Sequence, residues 1–258
     1  MNYKNLEEVI NVIKRLRAPD GCPWDRVQTH ESLRPNMIEE AYEAVDAIDD
    51  NDITHLKEEL GDVLLQVLLH SQIASDAGEF DIEDVAKGLK DKLIHRHPHV
   101  FGTAKTEGAA NVLKAWDELK AQEKTERKSA MDGLSRTQPA LIAAQKISKR
   151  AVKTGFEWKN EESLMECIMS EFDEFKQAKV QGSETHMEEE FGDLLFAAVN
   201  LARWNKIDAE QALLKANKKF EKRFRKMEEL TVKPLRDCSF DEFNILWEQA
   251  KAALKQEV

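Results

Sequence analysis

The feature that most constrains this chain is an internal repeat in which the spacing is kept as well as the residue types. EEAYEAVDA followed by THLKEELGDVLLQV in the first half returns as SEFDEFKQA followed by THMEEEFGDLLFAA in the second. Glu40 and Glu171, Glu43 and Glu174, His55 and His186, Glu59 and Glu190, and Asp62 and Asp193 are each 131 residues apart, so nothing has been inserted between them. The likeness extends outward. Gly21-Cys-Pro-Trp24 echoes Gly155-Phe-Glu-Trp158, the Lys92/Arg96 pair echoes Lys219/Arg223, and WDELKAQEK from Trp116 echoes WEQAKAALK from Trp247. Duplication of one structural unit explains the pattern. It predicts an N-terminal domain over 1–125, a C-terminal domain over 137–258 and a linker over 126–136, a polar stretch with a glycine and no sustained apolar stripe.

Each unit reads as helix, loop, helix. Pro35 suits a first helical turn, and Met37, Ile38, Ala41, Tyr42, Val45 and Ile48 follow at intervals of three and four. Asp49-Asp-Asn-Asp52 ends that helix, and Asp52 or Thr54 can cap the next, which carries Leu56, Leu60, Val63, Leu64, Val67 and Leu68. Helices joined by so short a loop pack antiparallel. With only 10 glycines and 6 prolines, and 34% charged residues, the expected fold is all-α: tandem duplicated helical-bundle units.

Residues three apart on a helix project to one side, so Glu40 with Glu43 and Glu59 with Asp62 form two carboxylate pincers. On antiparallel neighbours they face each other, and Glu171, Glu174, Glu190 and Asp193 repeat the arrangement. In a chain with 49 acidic residues, a single ExxE pair is most simply a solvated face. These acids instead border apolar positions such as Ala44, Ala47 and Val63 in one copy and Phe175, Ala178 and Leu194 in the other. Four converging carboxylates repel unless a cation sits among them, and an all-oxygen cage suits Mg2+, with Mn2+ as a substitute. Gly61 and Gly192, each inside an acid pair, point either to close helix packing or to room for a ligand.

A triphosphate also needs basic donors. Lys92 and Arg96, with their counterparts Lys219 and Arg223, lie four apart and can reach phosphate oxygens, the alternative being ordinary surface charge. His55 and His186 stand one turn before Glu59 and Glu190; they touch phosphate or an outer metal shell, or else sit exposed at a helix start. Trp116 and Trp247 either stack on a base or anchor the last helix of each unit. The net charge of −11 excludes a dedicated nucleic-acid or anionic-membrane surface. Cys22, Cys167 and Cys238 are too scattered for a disulfide framework or a zinc motif, and the N-terminal stretch has no apolar run of signal or membrane length, so a cytoplasmic protein is expected.

Glu39-Glu40-x-x-Glu43 with Glu59-x-x-Asp62, GCPWD at 21–25, RHPHVF at 96–101, FGDLLFAAVNLAR at 191–203 and KANKKFEKRFR at 215–225 together resemble the MazG family of nucleoside triphosphate pyrophosphohydrolases, in its two-domain form. The resemblance implies an enzyme that hydrolyses an NTP or dNTP to the monophosphate and pyrophosphate, with the eight acids named above as magnesium ligands. It also implies nucleotide contacts at Lys219, Arg223 and Trp247, with His186, Glu189, Lys92, Arg96 and, more weakly, Lys120 as further candidates. The second copy departs from the pattern at Ser170, where the first has Glu39. Glu40 or Glu171 is the candidate to orient or deprotonate the attacking water. Short helix pairs bury limited surface, so a homodimer is expected. Two rivals are set aside by chemistry or by test: a di-iron bundle would use ExxH pairs, and a non-catalytic helical interaction module would release no pyrophosphate.

Overall fold

The computed structural model describes residues 3–103, 108, 111, 112, 115, 116, 119 and 128–256, and every regular element among them is a helix. The chain divides into two compact units, 1–125 and 126–258. In the first, α1 (Lys4–Arg17), α2 (Pro23–Val27), α3 (Arg34–Asp49), α4 (Ile53–Asp76), α5 (Ile82–Arg96) and α6 (Pro98–Phe101) follow one another. In the second come α7 (Ala140–Lys153), α8 (Glu161–Gln181), α9 (Glu184–Trp204), α10 (Ala209–Leu230), a 3-10 turn (Leu235–Asp237) and α11 (Phe240–Gln256). No described helix is long and apolar enough to cross a membrane.

The centre of each unit is a helical hairpin, α3 on α4 and α8 on α9. The corners are built alike. Asn51 (φ 56°) and Gly182 (φ 73°), again 131 residues apart, both adopt the left-handed conformation that asparagine and glycine tolerate. Next to each stands an N-cap: the Asp52 carboxylate accepts from the Thr54 and His55 backbone N–H groups at 3.0 Å, and the Ser183 hydroxyl accepts from that of His186 at 3.3 Å. These caps fix where the second helix of each hairpin begins, and hence which face its acids occupy.

In the first unit α1 lies across α4, and Ile13, Leu33, Leu68 and Leu69 form the buried core. The turn after α1 is tight: the Cys22 N–H donates to the Leu16 carbonyl at 2.8 Å, and a Cβ on Gly21 would lie 2.2 Å from that oxygen, so no larger residue fits. In the second unit α7 takes the place of α1, and Leu164, Ala178, Val199, Met227 and Ala250 are buried. The stretch expected as a linker is tied down in part, because the Arg150 guanidinium on α7 donates to the carbonyls of Ala130 (2.9 Å) and Asp132 (2.7 Å).

The apolar positions that mark α3 and α4 are not all buried. On α3 the buried positions are Ala44 and Ala47, whereas Met37, Ile38, Tyr42 and Ile48 are exposed; on α4 Leu68 is buried but Leu60 and Leu64 are not. The two helices meet along the small-residue face, which lets their backbones approach, and the large apolar side chains are left facing outward.

Candidate active site

The hairpin geometry brings together three of the four expected carboxylates in each unit. One oxygen each from Glu40, Glu43 and Glu59 lies within 4.8 Å of the others, and Glu171, Glu174 and Glu190 do the same. The burial gradient is also duplicated: the α4 and α9 glutamates (Glu59, Glu190) are buried, Glu40 and Glu171 are half-buried, and Glu43 and Glu174 are exposed. Asp62 and Asp193 stand outside these three-oxygen clusters. Asp62 is nonetheless close enough for its charge to act on both Glu40 and Glu59.

The electrostatics of the first cluster are those of repulsion that His55 relieves only in part. Burial, followed by the charges of Asp62, Glu43 and Glu59, pushes the Glu40 carboxyl above the usual range. Burial, followed by the Glu43 carboxylate, does the same to Glu59, with His55 opposing. Glu59 Oε1 is held by His55 Nε2 at 2.8 Å, while Glu59 Oε2 is buried with no hydrogen-bond partner. An orphaned buried carboxylate oxygen is costly. Facing two more carboxylates, it is the donor atom a divalent cation would take, and the all-oxygen set fits a hard ion. The Gln66 amide reaches Glu40 Oε1 at 3.4 Å from the next turn of α4.

In the second cluster His186 Nε2 holds Glu190 Oε1 at 2.8 Å, repeating the first. Each histidine therefore orients the buried glutamate one turn on, from a position at the start of its helix. Ser170 donates from its hydroxyl to Glu174 Oε1 at 2.7 Å, so the exchange for Glu39 replaces a charge by a hydrogen bond to a cluster member. The Cys167 thiol lies 3.5 Å from Glu171 Oε1, and burial, then that carboxylate, push its pKa up. From sequence Gln66 reads only as a neighbour of Glu59 and Asp62, and Cys167 only as one of three scattered thiols; each lies about one helical turn from an acidic pair, which is the signal that marks them.

The basic and aromatic candidates form a second duplicated motif. The Arg96 guanidinium lies over the Trp116 ring, 5.6 Å from its centroid, and Arg223 over Trp247 at 5.5 Å. Trp247 also packs against Phe220 and Trp116 against His97. Both tryptophans thus pack on the helix that carries the arginine. Lys92, Glu189 and Lys219 are exposed. Lys120 lies outside the described residues.

With this geometry in view, comparison with known proteins is direct. The MazG nucleotide pyrophosphohydrolase domain matches twice, over residues 28–101 and 159–227, each match holding one acidic cluster. The chain is 48% identical over 249 residues to the nucleoside triphosphate pyrophosphohydrolase/pyrophosphatase MazG of Thermotoga maritima, covering 95% of each. It is 39% identical over 254 residues to the nucleoside triphosphate pyrophosphohydrolase of Escherichia coli K12, covering 95% of this chain and 97% of that one. An uncharacterized Bacillus subtilis protein, YabN, is 44% identical over 254 residues, which is 96% of this chain and 52% of that longer one.

Proposed function

Because this chain belongs to the MazG nucleotide pyrophosphohydrolase family, we propose that it hydrolyses nucleoside triphosphates, ribo or deoxy, to the monophosphate and pyrophosphate, in housecleaning or regulation of the nucleotide pool. The observation that carries the reading is the paired three-carboxylate cluster with its orphaned Glu59 oxygen, set in a helical hairpin that the family domain matches twice. Glu40, Glu43, Glu59 and Asp62 would hold Mg2+ in the first unit, and Glu171, Glu174, Glu190 and Asp193 in the second. Bound there, the ion would supply charge neutralisation for the triphosphate and a more acidic water.

The chain's own groups do the rest. His55 and His186 fix the buried glutamate of each cluster through a 2.8 Å contact, so one oxygen stays turned to the site. Glu40 and Glu171, half-buried beside the exposed glutamate, would orient the water and accept its proton as the α–β phosphoanhydride is cleaved. Lys219 and Arg223 supply positive charge for the phosphates, with Lys92 and Arg96 their first-unit counterparts. Trp247 lies under the Arg223 guanidinium, which sits 5.5 Å from the ring centroid.

The test is a panel of NTPs and dNTPs with the full chain in Mg2+, Mn2+ or chelator, with pyrophosphate, orthophosphate and monophosphate all quantified. Equal amounts of pyrophosphate and monophosphate, formed only with metal, are expected. Orthophosphate with diphosphate, or no product from any nucleotide, would overturn the assignment and leave an interaction module as the reading.

A further inference from the structure

A cavity of about 780 Å³ opens in the second unit between α7, α8, α9 and the loop before α8. Its size is that of a small-molecule site. Glu171 and Asp193 form part of its wall, so it is continuous with the second acidic cluster. Phe156, Trp158 and Phe196 contribute aromatic surface, and Phe156 is 82% exposed.

The same wall carries a fixed polar set. Ser148 (3% exposed) donates from its hydroxyl to Asn200 Oδ1 at 2.6 Å, and Asn200 (8% exposed) donates from Nδ2 to the Phe196 carbonyl at 3.0 Å. The carbonyl only accepts, so the orientation of the amide is determined. Arg203 Nε donates to Ser148 Oγ at 2.6 Å, and its two terminal nitrogens grip the Glu157 carboxylate at 2.8 and 2.6 Å; that carboxylate also accepts from the Trp158 N–H at 2.9 Å. The chain from Asn200 to Trp158 therefore fixes both the polar edge and the aromatic wall. Left over are one N–H of the Asn200 amide and one lone pair on Ser148: a donor beside an acceptor, the pattern complementary to the hydrogen-bonding edge of a nucleobase.

We propose that this cavity receives the nucleoside part of the substrate. The base lies against Trp158 and Phe156 with its edge at Asn200 and Ser148, and the phosphates reach out to the Glu171 cluster. The proposal rests on the triphosphate reading above and adds where the nucleoside is read. It also makes that reading a property of the second copy alone. At the equivalent positions the first copy has Leu69, 2% exposed within the core, in place of Asn200, and Gln72 in place of Arg203.

The experiment uses the full chain with Asn200→Leu, the residue the first copy carries, and Phe156→Ala, which removes an exposed side chain and leaves the core alone. Pyrophosphate release is measured for each of the four NTPs, and binding of nucleoside monophosphates by calorimetry. Loss of one stacking face or one base-edge hydrogen bond is expected to weaken monophosphate binding and raise KM roughly tenfold. Asn200→Leu should also alter the ranking among bases, which a purely structural role for Asn200 would not do. Wild-type KM, ranking and monophosphate affinity in both variants, with wild-type activity intact, would overturn the nucleoside site and leave the hydrolase reading standing. No pyrophosphate from the wild type would overturn the hydrolase reading, while monophosphate binding lost in the variants would still support the cavity.

Discussion

At the scale of single residues, the acidic clusters place function in opposition to stability. Glu40 and Glu59 are pushed up by burial and by each other's neighbours, so without a cation they weaken the fold that holds them. Neutralising one acid per copy, as Glu40→Gln with Glu171→Gln, should raise the melting temperature in chelator and abolish both the rise on adding Mg2+ and pyrophosphate release. Differential scanning fluorimetry and a pyrophosphate assay read all three, and a double variant that still gains stability from Mg2+ would remove these glutamates from the ligand set. A second residue-scale effect lies outside the clusters. His30 and His70 stack with Nδ1 atoms 2.7 Å apart, and His70 Nε2 is buried without a partner. Burial, then the His30 charge, lowers the His70 pKa below its ordinary 6.5. The unfolded chain then binds the proton more readily than the folded one, so stability falls as pH drops through 6.5. Melting temperatures from pH 8 to 5.5 should decline, and His70→Gln should flatten the decline; an equal slope in both proteins would exclude the pair as its source. The acids were legible in the sequence because helical spacing fixes which side chains share a face. The His30–His70 contact was not, because it joins a loop to a helix 40 residues on.

At the scale of elements, the first hairpin was readable from punctuation: Pro35 stands in the first turn of α3, and the Asp-rich corner ends it and supplies Asp52 as the cap of α4, a corner that Gly182 and Ser183 match in the second copy. The same reasoning applies to α11. Ser239 and Glu242 cap it reciprocally, the Ser239 N–H donating to the carboxylate at 2.7 Å, and that bond, then Lys233, holds the Glu242 carboxyl down at about 2. A depressed acid stabilises the fold above its unfolded value and loses that effect as pH falls towards the folded one. Glu242→Ala should therefore melt lower than wild type at pH 7, with the gap narrowing below pH 4.5; a constant gap would assign the loss to something other than the charge. Gly61 and Gly192 resolve an alternative that the sequence left open. A Cβ at either position would meet nothing within 4 Å, so close packing within the chain is not their reason. Gly192→Ala should then stabilise α9 by about 1 kcal/mol. If the open space serves ligand or partner, pyrophosphate release should fall while the melting temperature rises. Release at the wild-type rate would leave the space without a role.

At the scale of the whole molecule, the two copies leave matching apolar side chains uncovered. Ile38 and Met169, Leu60 and Phe191, and Leu64 and Leu195 occupy equivalent positions in the two copies, and all six are more than a third exposed. Hydrophobic periodicity marks Ile38, Leu60 and Leu64 as apolar helix positions without saying what covers them, and the single chain leaves them exposed. A second copy of the chain, meeting α3–α4 and α8–α9 along these faces, would complete each two-helix layer into a bundle. Light scattering after size exclusion should give twice the chain mass, and Leu60→Asp with Phe191→Asp should give a folded monomer by circular dichroism. The apolar faces and the carboxylate clusters share the same helices, so the monomeric variant should also lose pyrophosphate release, and the wild type should lose specific activity on dilution. A wild type that is monomeric at assay concentration and fully active would show that these faces are covered in some other way.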